Sequence, residues 1–458
     1  MLPNGLGRGE QDLKSVKQKL FFNMGTTFSR QVGVTVFQLL FTMLLARTLG
    51  KENYGIYALA LMLPQLLMKV LNMGIGPSIV YYIARKELSF SSAFKKILFI
   101  CFWVSLLGLA TEVLVIKFFS ASIFPGIPPK LLLIAAILFP LLLLQELLPN
   151  LLLGIQKFNA YNLSYSVLPS VSLAMAWILL RYVGVEVEYA LAAFAAGHVV
   201  STLWLILVVT KNLSLIEDIP GNEVSWKELI TYSGKVHLSN IIGFLNYRID
   251  MFLVNLLGSP ATVGIYFIAV QIVEKLWLLS QAVNTAIFPH LAEKYKRNSR
   301  DTSVTEVLGS ATFIVTAVIS LILAFIGSYI IKLFFGVEYL ESAPVLIILL
   351  PGILANSVGR ILSNDFAARG IPQINLYVGF LTVTTNVVAN IYLIPRMGAE
   401  GAALATSISY GLNLVIKLSI YYYLVKVPFW RVLLPGSQTL LIVKELFQNR
   451  SKTKQDGK

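Results

Sequence analysis

The sequence predicts an all-α integral membrane protein of about twelve transmembrane helices, arranged as two six-helix lobes that form a parallel internal repeat. Three observations support this fold class: an apolar composition, long apolar segments, and short motifs that recur in the same order. Of the 458 residues, 56% are hydrophobic and 13% are charged, whereas soluble domains have roughly 45–50% apolar and 25% charged residues. A soluble fold of this composition would lack the polar surface that water requires.

Apolar runs bounded by charges or by Gly/Pro clusters define the predicted helices, because about 20 apolar residues cross a hydrocarbon core. The predicted helices are 22–46, 54–83, 97–119, 131–153, 160–182, 189–210, 238–257, 263–289, 307–335, 344–367, 373–395 and 399–425. The predicted domains are a cytoplasmic N-terminal segment (1–21), an N-lobe (22–210), a cytoplasmic linker (211–237), a C-lobe (238–425), and a cytoplasmic interfacial segment and tail (426–458).

The basic residues between the helices predict the orientation of the chain. If the N-terminus is inside, 24 Lys/Arg residues fall on the cytoplasmic side and 7 on the outer side. This asymmetry follows the positive-inside rule and predicts that both termini are cytoplasmic. The net charge of +14 is therefore attributed to membrane topology, and we expect no nucleic-acid partner.

Short motifs recur between the two halves of the chain. Leu49-Gly50 with Gly55-Ile56-Tyr57 returns as Leu257-Gly258 with Gly264-Ile265-Tyr266. Gly184-Val185-Glu186 similarly returns as Gly398-Ala399-Glu400. The common order and spacing predict a duplicated six-helix unit, and each half with six helices makes the copies parallel.

Basic residues inside the predicted helices mark the candidate site. A charge at mid-bilayer costs roughly 2.5–3.5 kcal/mol on insertion scales, so it is expected to face a watery cavity or a partner. Arg30 and Arg248 lie deepest, and we predict that they attract an anion, a phosphate or a carboxylate, with Gln38 and Tyr247 also in the cavity. Lys69, Arg360 and Lys417 lie near the cytoplasmic face, within reach of the interface.

Polar side chains also occupy corresponding places in the two halves. Gln65 and Asn72 on the second helix align with Glu274 and Gln281 on the eighth, which also carries Asn284. These residues predict a polar cavity stripe. Glu274 and Asp250 are candidate ion or proton sites, or partners of the arginines. The alternative interpretation is that all these groups pair with one another and only stabilise the bundle.

Several activities have no support in the sequence. There is no G-x-x-x-x-G-K-[ST] segment for ATP, no His/Cys/Asp cluster with metal spacing, and no nucleophile elbow. The single cysteine, Cys101, lies inside an apolar run. We therefore expect no enzymatic activity, no cofactor and no metal, and the polar stripes favour transport of a hydrophilic solute over a scaffold role.

Three segments carry a family resemblance. Leu44–Gly50 with Tyr54–Ala60 resembles the opening hairpin of the polysaccharide-unit (O-antigen type) flippases of the MOP exporter superfamily. Arg248–Met251 with Gly264–Ala269 resembles the hairpin of the second half, and Gly398–Ala403 is similar to the start of the twelfth helix. The chain lacks two further spans that fourteen-helix relatives, such as peptidoglycan-precursor flippases, possess.

The resemblance implies a multi-pass protein of the cell membrane that flips a polyprenyl-pyrophosphate-linked oligosaccharide from the inner to the outer leaflet by alternating access. Its implied partners are this lipid-linked substrate and membrane lipids. Whether other polysaccharide-assembly proteins also bind is a question that the resemblance does not decide. The alternative is an ion-coupled exporter of cationic drugs from the same superfamily. That exporter would use Asp250 and Glu274 as cation sites, whereas the flippase would use Arg30 and Arg248 as anion sites.

Overall fold

The computed structural model describes residues 6–213, 224–277, 302–371, 373–434 and 436, and it describes side chains from residue 31 onward except at 232, 235, 236, 239, 240, 246, 247 and 303. Every regular element in this part of the chain is helical. Eight described helical segments are long and apolar enough to cross a membrane, and one of them, Pro129–Gly154, consists of several short helices. The all-α membrane fold is therefore confirmed, while the number of twelve spans stays a prediction.

The chain divides into two compact units, residues 1–241 and 242–458. The first unit contains α1 (Leu6–Leu71), α2 (Ile75–Ala84), α3 (Phe90–Ile123), α4 (Pro129–Ala136), α5 (Phe139–Leu147), α6 (Pro149–Gly154), α7 (Phe158–Tyr182) and α8 (Val187–Leu213). The division falls within α9 (Trp226–Leu257). The second unit continues with α10 (Pro260–Val273), α11 (Ser303–Phe334), α12 (Ser342–Ala368), α13 (Gln373–Val425) and α14 (Phe429–Leu433), with short 3₁₀ turns at Glu274–Leu276 and Val337–Tyr339.

A capping box sets the start of α9. The backbone N–H and the hydroxyl of Ser225 both donate to Glu228 Oε2 at 2.9 Å. In return, the backbone N–H of Glu228 donates to Ser225 Oγ at 3.3 Å. These bonds satisfy backbone donors that a helix start leaves open. The helix consequently begins at Trp226, twelve residues before the predicted start at 238, and the last part of the predicted linker 211–237 is helical.

Prolines divide the predicted helix 131–153 into three short helices, α4, α5 and α6. Pro140 lies in the first turn of α5 and Pro149 begins α6. A proline has no backbone N–H and its ring clashes with the preceding turn, so a new helix starts more easily there than an old one continues. The broken segment packs closely on α3, where a side chain added at Gly108 would lie 2.2 Å from the ring of Phe139.

Two glycines make sharp bends inside long helices. Gly50 in α1 has φ 73° and ψ 171°, and Gly398 in α13 has φ 56° and ψ −129°. Both conformations are strained for residues with a Cβ atom. A bend at one residue, Gly50, joins the predicted helices 22–46 and 54–83, where the sequence predicted a longer connection. A bend at Gly398 likewise joins the predicted helices 373–395 and 399–425.

The predicted helix 54–83 is interrupted at the place where α9 packs against it. The break lies between α1 and α2, where Gly74 has φ 64°. A Cβ atom at Gly74 would lie 2.9 Å from the carbonyl oxygen of Ser233 and 3.1 Å from Cβ of His237. The hydroxyl of Ser233 donates to Ser78 Oγ at 2.9 Å, so α9 is held directly against this break.

The short helix α14 packs its Val432 into the second unit. Val432 is fully buried in an apolar cluster with Leu362, Phe366 and Tyr421. A Cβ atom at Gly309 of α11 would lie 2.6 Å from a methyl carbon of Val432. The part of the predicted interfacial segment that is described is therefore anchored in the packed core on one side, while Trp430 on the other side is exposed.

We predict that Gly398→Ala lowers the stability of the protein by about 1–3 kcal/mol, the usual cost of a residue held in a sparsely populated backbone region. The nearest atom to the added methyl group would be 3.9 Å away, so the cost is backbone strain and not a clash. Thermal unfolding in detergent measures it.

Gly411→Ala is the matched control, because Gly411 lies in the same helix with no positive φ and with nothing within 4 Å of its added Cβ. Alanine favours a helix over glycine by about 1 kcal/mol, so this variant should melt at or above the wild type. Equal melting of the two variants would contradict the role assigned to Gly398.

Candidate functional site

An ion pair joins Arg248 and Glu274 inside the second unit. Arg248 lies nine residues before the end of α9, which is about 13 Å along the helix axis, and Glu274 follows α10 directly. Nη1 of Arg248 donates to Oε1 of Glu274 at 2.9 Å, and Nη2 donates to Oε2 at 3.4 Å. The side chains are 27% and 14% exposed. This two-bond geometry is the strong form of an arginine–carboxylate contact.

Asp250 occupies a separate, more buried position on α9, with only 4% of its surface exposed. Its carboxylate accepts hydrogen bonds from the backbone N–H of Met251 at 2.8 Å, from the hydroxyl of Thr406 at 3.4 Å, and from the hydroxyl of Tyr266 in a short contact. Tyr266 is fully buried. Several donors together stabilise a carboxylate where water is excluded.

The hydrogen-bond network continues from Thr406 into the first half of α13. Nδ2 of Asn386 donates to Thr406 Oγ1 at 3.3 Å and to Ser409 Oγ at 3.4 Å. Nδ2 of Asn390 donates to Asn386 Oδ1 at 2.9 Å. Both asparagines are 1% exposed or less. The second unit therefore contains a polar layer that ties α9, α10 and both halves of α13 together.

In the first unit, the described charged groups inside the helices include one ion pair and one isolated carboxylate. Lys69 and Glu146 form an ion pair at 2.7 Å. Glu112 is fully buried on α3, and neither of its carboxyl oxygens has a hydrogen-bond partner among the described residues. His198 on α8 is 5% exposed, and its two ring nitrogens likewise lack described partners.

The other predicted site residues differ in how exposed they are. Gln38 is exposed and Gln65 is half-buried. Asn72 is 8% exposed, and its Oδ1 accepts from the backbone N–H of Gly74 at 3.0 Å, so it supports the break between α1 and α2. The side chains of Arg30 and Tyr247, together with all of Gln281 and Asn284, lie outside the described part of the chain.

Tyr266, Thr406 and Asn386, which surround Asp250, are not among the site residues that the sequence predicted. A signal for two of them is present: Thr382, Asn386 and Asn390 repeat every four residues inside an apolar helix, and Thr406, Ser409 and Asn413 do so at three and four. Such spacing places polar groups on one face of a helix. Which distant residue each face meets is decided only by the tertiary packing.

The described residues offer several polar groups that are suited to binding. They contain no group of three or more His, Cys, Asp or Glu side chains that could hold a metal ion. They do present hydroxyl, amide and charged groups within otherwise apolar helices. Buried groups of this kind in membrane helices mark paths for ions or substrates.

Comparison with known proteins assigns the family. A family model described as "Polysaccharide biosynthesis protein" matches residues 20–295. The chain belongs to this family. It is 24% identical over 389 residues to a putative O-antigen transporter of Shigella flexneri, a match that covers 82% of this chain and 91% of that protein.

Solved structures of a lipid II flippase and of a multidrug resistance MATE family transporter share the fold of this chain. The lipid II flippase MurJ in an inward closed conformation superposes with a TM-score of 0.71 at 16% identity, covering 92% of both chains. An inward-facing multidrug resistance MATE family transporter of the MOP superfamily superposes with a TM-score of 0.65 at 15% identity, covering 86% of this chain and 94% of that one. The protein therefore has the MATE-like fold that the sequence predicted.

We predict that Glu274→Gln lowers the free energy of unfolding by about 2 kcal/mol, because it removes the carboxylate that pairs with the charge of Arg248 in a partly buried position. This value lies between those of exposed and fully buried pairs. The double variant Arg248→Gln/Glu274→Gln removes both charges and should recover much of the loss. A double-mutant cycle of unfolding free energies measures the coupling.

Lys130 and Glu188 form the control pair, because Lys130 is 74% exposed and the two side chains are 3.3 Å apart. Their coupling should stay below about 1 kcal/mol. If the losses at Arg248 and Glu274 simply add, the two residues do not depend on each other.

Proposed function

We propose that this protein is a flippase that carries a polyprenyl-pyrophosphate-linked oligosaccharide from the inner to the outer leaflet of the cell membrane by alternating access, for the synthesis of a surface polysaccharide or glycoconjugate. The observation that carries the proposal is family membership together with similarity along 91% of a protein named as an O-antigen transporter. The flippase name of a structural neighbour over 92% of the chain supports it through the shared fold.

The polar interior of the second unit supports passage of a hydrophilic head group. Sugars and phosphates lose their hydration in hydrocarbon, at a cost of several kcal/mol for each unpaired polar group. The hydroxyl and amide groups of Tyr266, Thr406 and Asn386 lie within apolar helices and form hydrogen bonds with Asp250 and with one another, so this unit already keeps polar groups paired away from water. The lipid tail of such a substrate needs no shielding, because it stays in the bilayer.

The proposed orientation has both termini in the cytoplasm, since the basic residues between helices concentrate on that side. In this orientation α12 and the second half of α13 both end at the cytoplasmic face, at Ala368 and Val425. We accordingly assign the residues near these ends to the inner half of the membrane.

The membrane potential can drive outward flipping. Each negative charge that moves outward down a 100 mV inside-negative potential releases roughly 2.3 kcal/mol. A pyrophosphate-linked head group carries more than one such charge. The potential thereby provides a directional free-energy source that requires no ATP-binding motif.

The second candidate function, ion-coupled export of cationic drugs, is favoured by the buried carboxylate of Asp250 and by the shared fold with a MATE family transporter. Glu274, the other acid that such an exporter would use, is already paired with Arg248. The two functions differ in the sign of the substrate's charge, which is negative for the flippase and positive for the drug exporter.

We predict that purified protein in proteoliposomes moves a fluorescent polyprenyl-pyrophosphate oligosaccharide across the bilayer, and that Arg30→Gln/Arg248→Gln reduces the rate at least tenfold while Asp250 and Glu274 stay intact. A quencher or an impermeant sugar-modifying reagent added outside measures the fraction flipped. Lys130→Gln, on the surface, should flip at the wild-type rate.

The same vesicles test the alternative. A wild type that leaves the lipid-linked sugar in place but exports a cationic dye against a proton gradient would show a drug exporter, and it would overturn the flippase proposal.

We further predict that outward flipping accelerates when a valinomycin–potassium gradient makes the vesicle interior negative and slows when the potential is reversed. The reason is that net negative charge moves with the head group. Vesicles with equal potassium on both sides are the control. A rate that does not change with imposed voltage would contradict potential-driven flipping while leaving flipping itself intact.

A further inference from the structure

Two helices of the first unit meet through exposed aromatic rings. The ring centres of Phe99 on α3 and Trp226 at the start of α9 lie 5.5 Å apart. The ring of Trp103, one turn further along α3, lies 6.3 Å from that of Phe99. All three side chains are exposed, Phe99 to 57% and Trp103 to 53%. The two helices therefore present a joint apolar surface to whatever surrounds the first unit.

Lysines border this aromatic surface. Nζ of Lys96 on α3 lies 4.5 Å from the centre of the Trp226 ring, which is a cation–π contact. Lys95 and Lys227 adjoin these two residues in the chain, and both are exposed. Among the described residues, none of the three lysines forms an ion pair. The acid next to them in α9, Glu228, accepts two hydrogen bonds in the capping box.

These side chains together form the α3–α9 cluster, which consists of Lys95, Lys96, Phe99, Trp103, Trp226 and Lys227. Its depth in the membrane follows from the length of α3. With 34 residues, α3 is about 51 Å long, slightly more than the roughly 40–45 Å of a bilayer with its head groups. Lys96 lies six residues after the first residue of the helix, Phe90, which places its ammonium group at the level of the head groups. Phe99 and Trp103 lie one and two turns deeper, beside the acyl chains.

We infer that the α3–α9 cluster binds an anionic phospholipid of the inner leaflet, of which phosphatidylglycerol is the simplest example. The lysine ammonium groups contact the phosphate oxygens, the indole ring of Trp226 lies at the glycerol level, and the rings of Phe99 and Trp103 pack on the acyl chains. The inference uses the proposed orientation, in which α3 begins at the cytoplasmic face. It does not depend on the substrate that the protein carries.

The order of the groups along α3 matches the order of the parts of a phospholipid. Cations lie at the end of the helix, and exposed apolar rings follow directly beneath them. A ligand that satisfies both must carry an anionic head and an apolar body. The cytoplasmic leaflet also carries a negative surface potential that attracts basic residues near the membrane. The contact with Trp226 restricts the ammonium group of Lys96, so less freedom is lost when a phosphate binds.

The opposite end of α3 provides an internal comparison. Lys117 lies six residues before the last residue of the helix, Ile123, so it has the same depth at the outer face. Its Nζ lies 5.4 Å from the centre of the exposed Phe118 ring. No other Lys or Arg occurs within four residues of Lys117 in the chain. A single lysine beside a ring is therefore present at the outer face without the neighbouring lysines of the α3–α9 cluster.

Native mass spectrometry of the full-length protein in detergent tests the site, because it resolves each bound lipid. We expect the first phosphatidylglycerol to bind at least about tenfold more tightly than phosphatidylcholine, which has no net charge. Lys96→Gln should weaken phosphatidylglycerol binding about fivefold, and Lys95→Gln/Lys96→Gln/Lys227→Gln roughly 10- to 100-fold, since each lysine near a lipid surface contributes about fivefold. Phosphatidylcholine binding should not change in either variant.

Lys117→Gln is the matched control for charge, and its affinity for phosphatidylglycerol should stay within twofold of the wild-type value. Trp226→Leu tests the ring and should weaken binding about three- to tenfold with every lysine intact. Trp177→Leu is its control, because Trp177 is exposed near the other end of a helix, five residues before the end of α7. All the substituted side chains lie at least partly on the surface, and size-exclusion chromatography with thermal melting reports folding.

Equal affinity of the wild type for the two lipids would overturn the site, as would wild-type binding of phosphatidylglycerol by the triple variant. Equal losses in Lys117→Gln and Lys96→Gln would also overturn it, because they would show diffuse attraction by any surface lysine. Wild-type binding by Trp226→Leu would overturn the part assigned to the rings. The single variants keep the test decisive if the triple variant does not fold, and none of these outcomes bears on flipping of the lipid-linked sugar.

Discussion

The cost of a polar group in hydrocarbon is the constraint on which the rest of this structure depends. Backbone N–H and C=O groups must be paired within the chain, and the described elements are accordingly helices. Side-chain hydroxyl groups obey the same rule, as when Thr48 donates to the carbonyl oxygen of Leu44 one turn earlier at 2.7 Å. Large apolar side chains such as Phe325, 85% exposed, cover the outside. Apolar side chains outside and polar groups inside are the reverse of the arrangement in a soluble protein, because lipid takes the place of water around the helices.

Charges inside the helices show the same constraint at higher cost. Among the described residues, Lys69 pairs with Glu146 in the first unit and Arg248 pairs with Glu274 in the second. These pairs are compatible with a stable protein and need no ligand. Lys417 differs because its described partners are neutral oxygens.

The interruptions of the helices have residue-level causes. Pro140 and Pro149 remove backbone donors, while Gly50 and Gly398 adopt conformations that other residues resist. Each interruption lies where another element comes near or where the chain bends back. These residues therefore set defined points at which the helices bend or restart.

The sequence by itself determined that the protein lies in a lipid bilayer and is helical, because the length of apolar runs and the placement of charges depend only on local composition. Its short motifs also carried the family resemblance. It also marked Arg248, Asp250 and Glu274 as residues that are costly to place inside a membrane. Tertiary structure alone decided that Arg248 meets Glu274, that Asp250 meets Tyr266 and Thr406, and that Lys417 turns inward to Ser363. Helical periodicity gives the face on which a side chain lies, but its partner lies on another helix, up to 156 residues away in the chain for Asp250. Only the packing of helices brings such groups together.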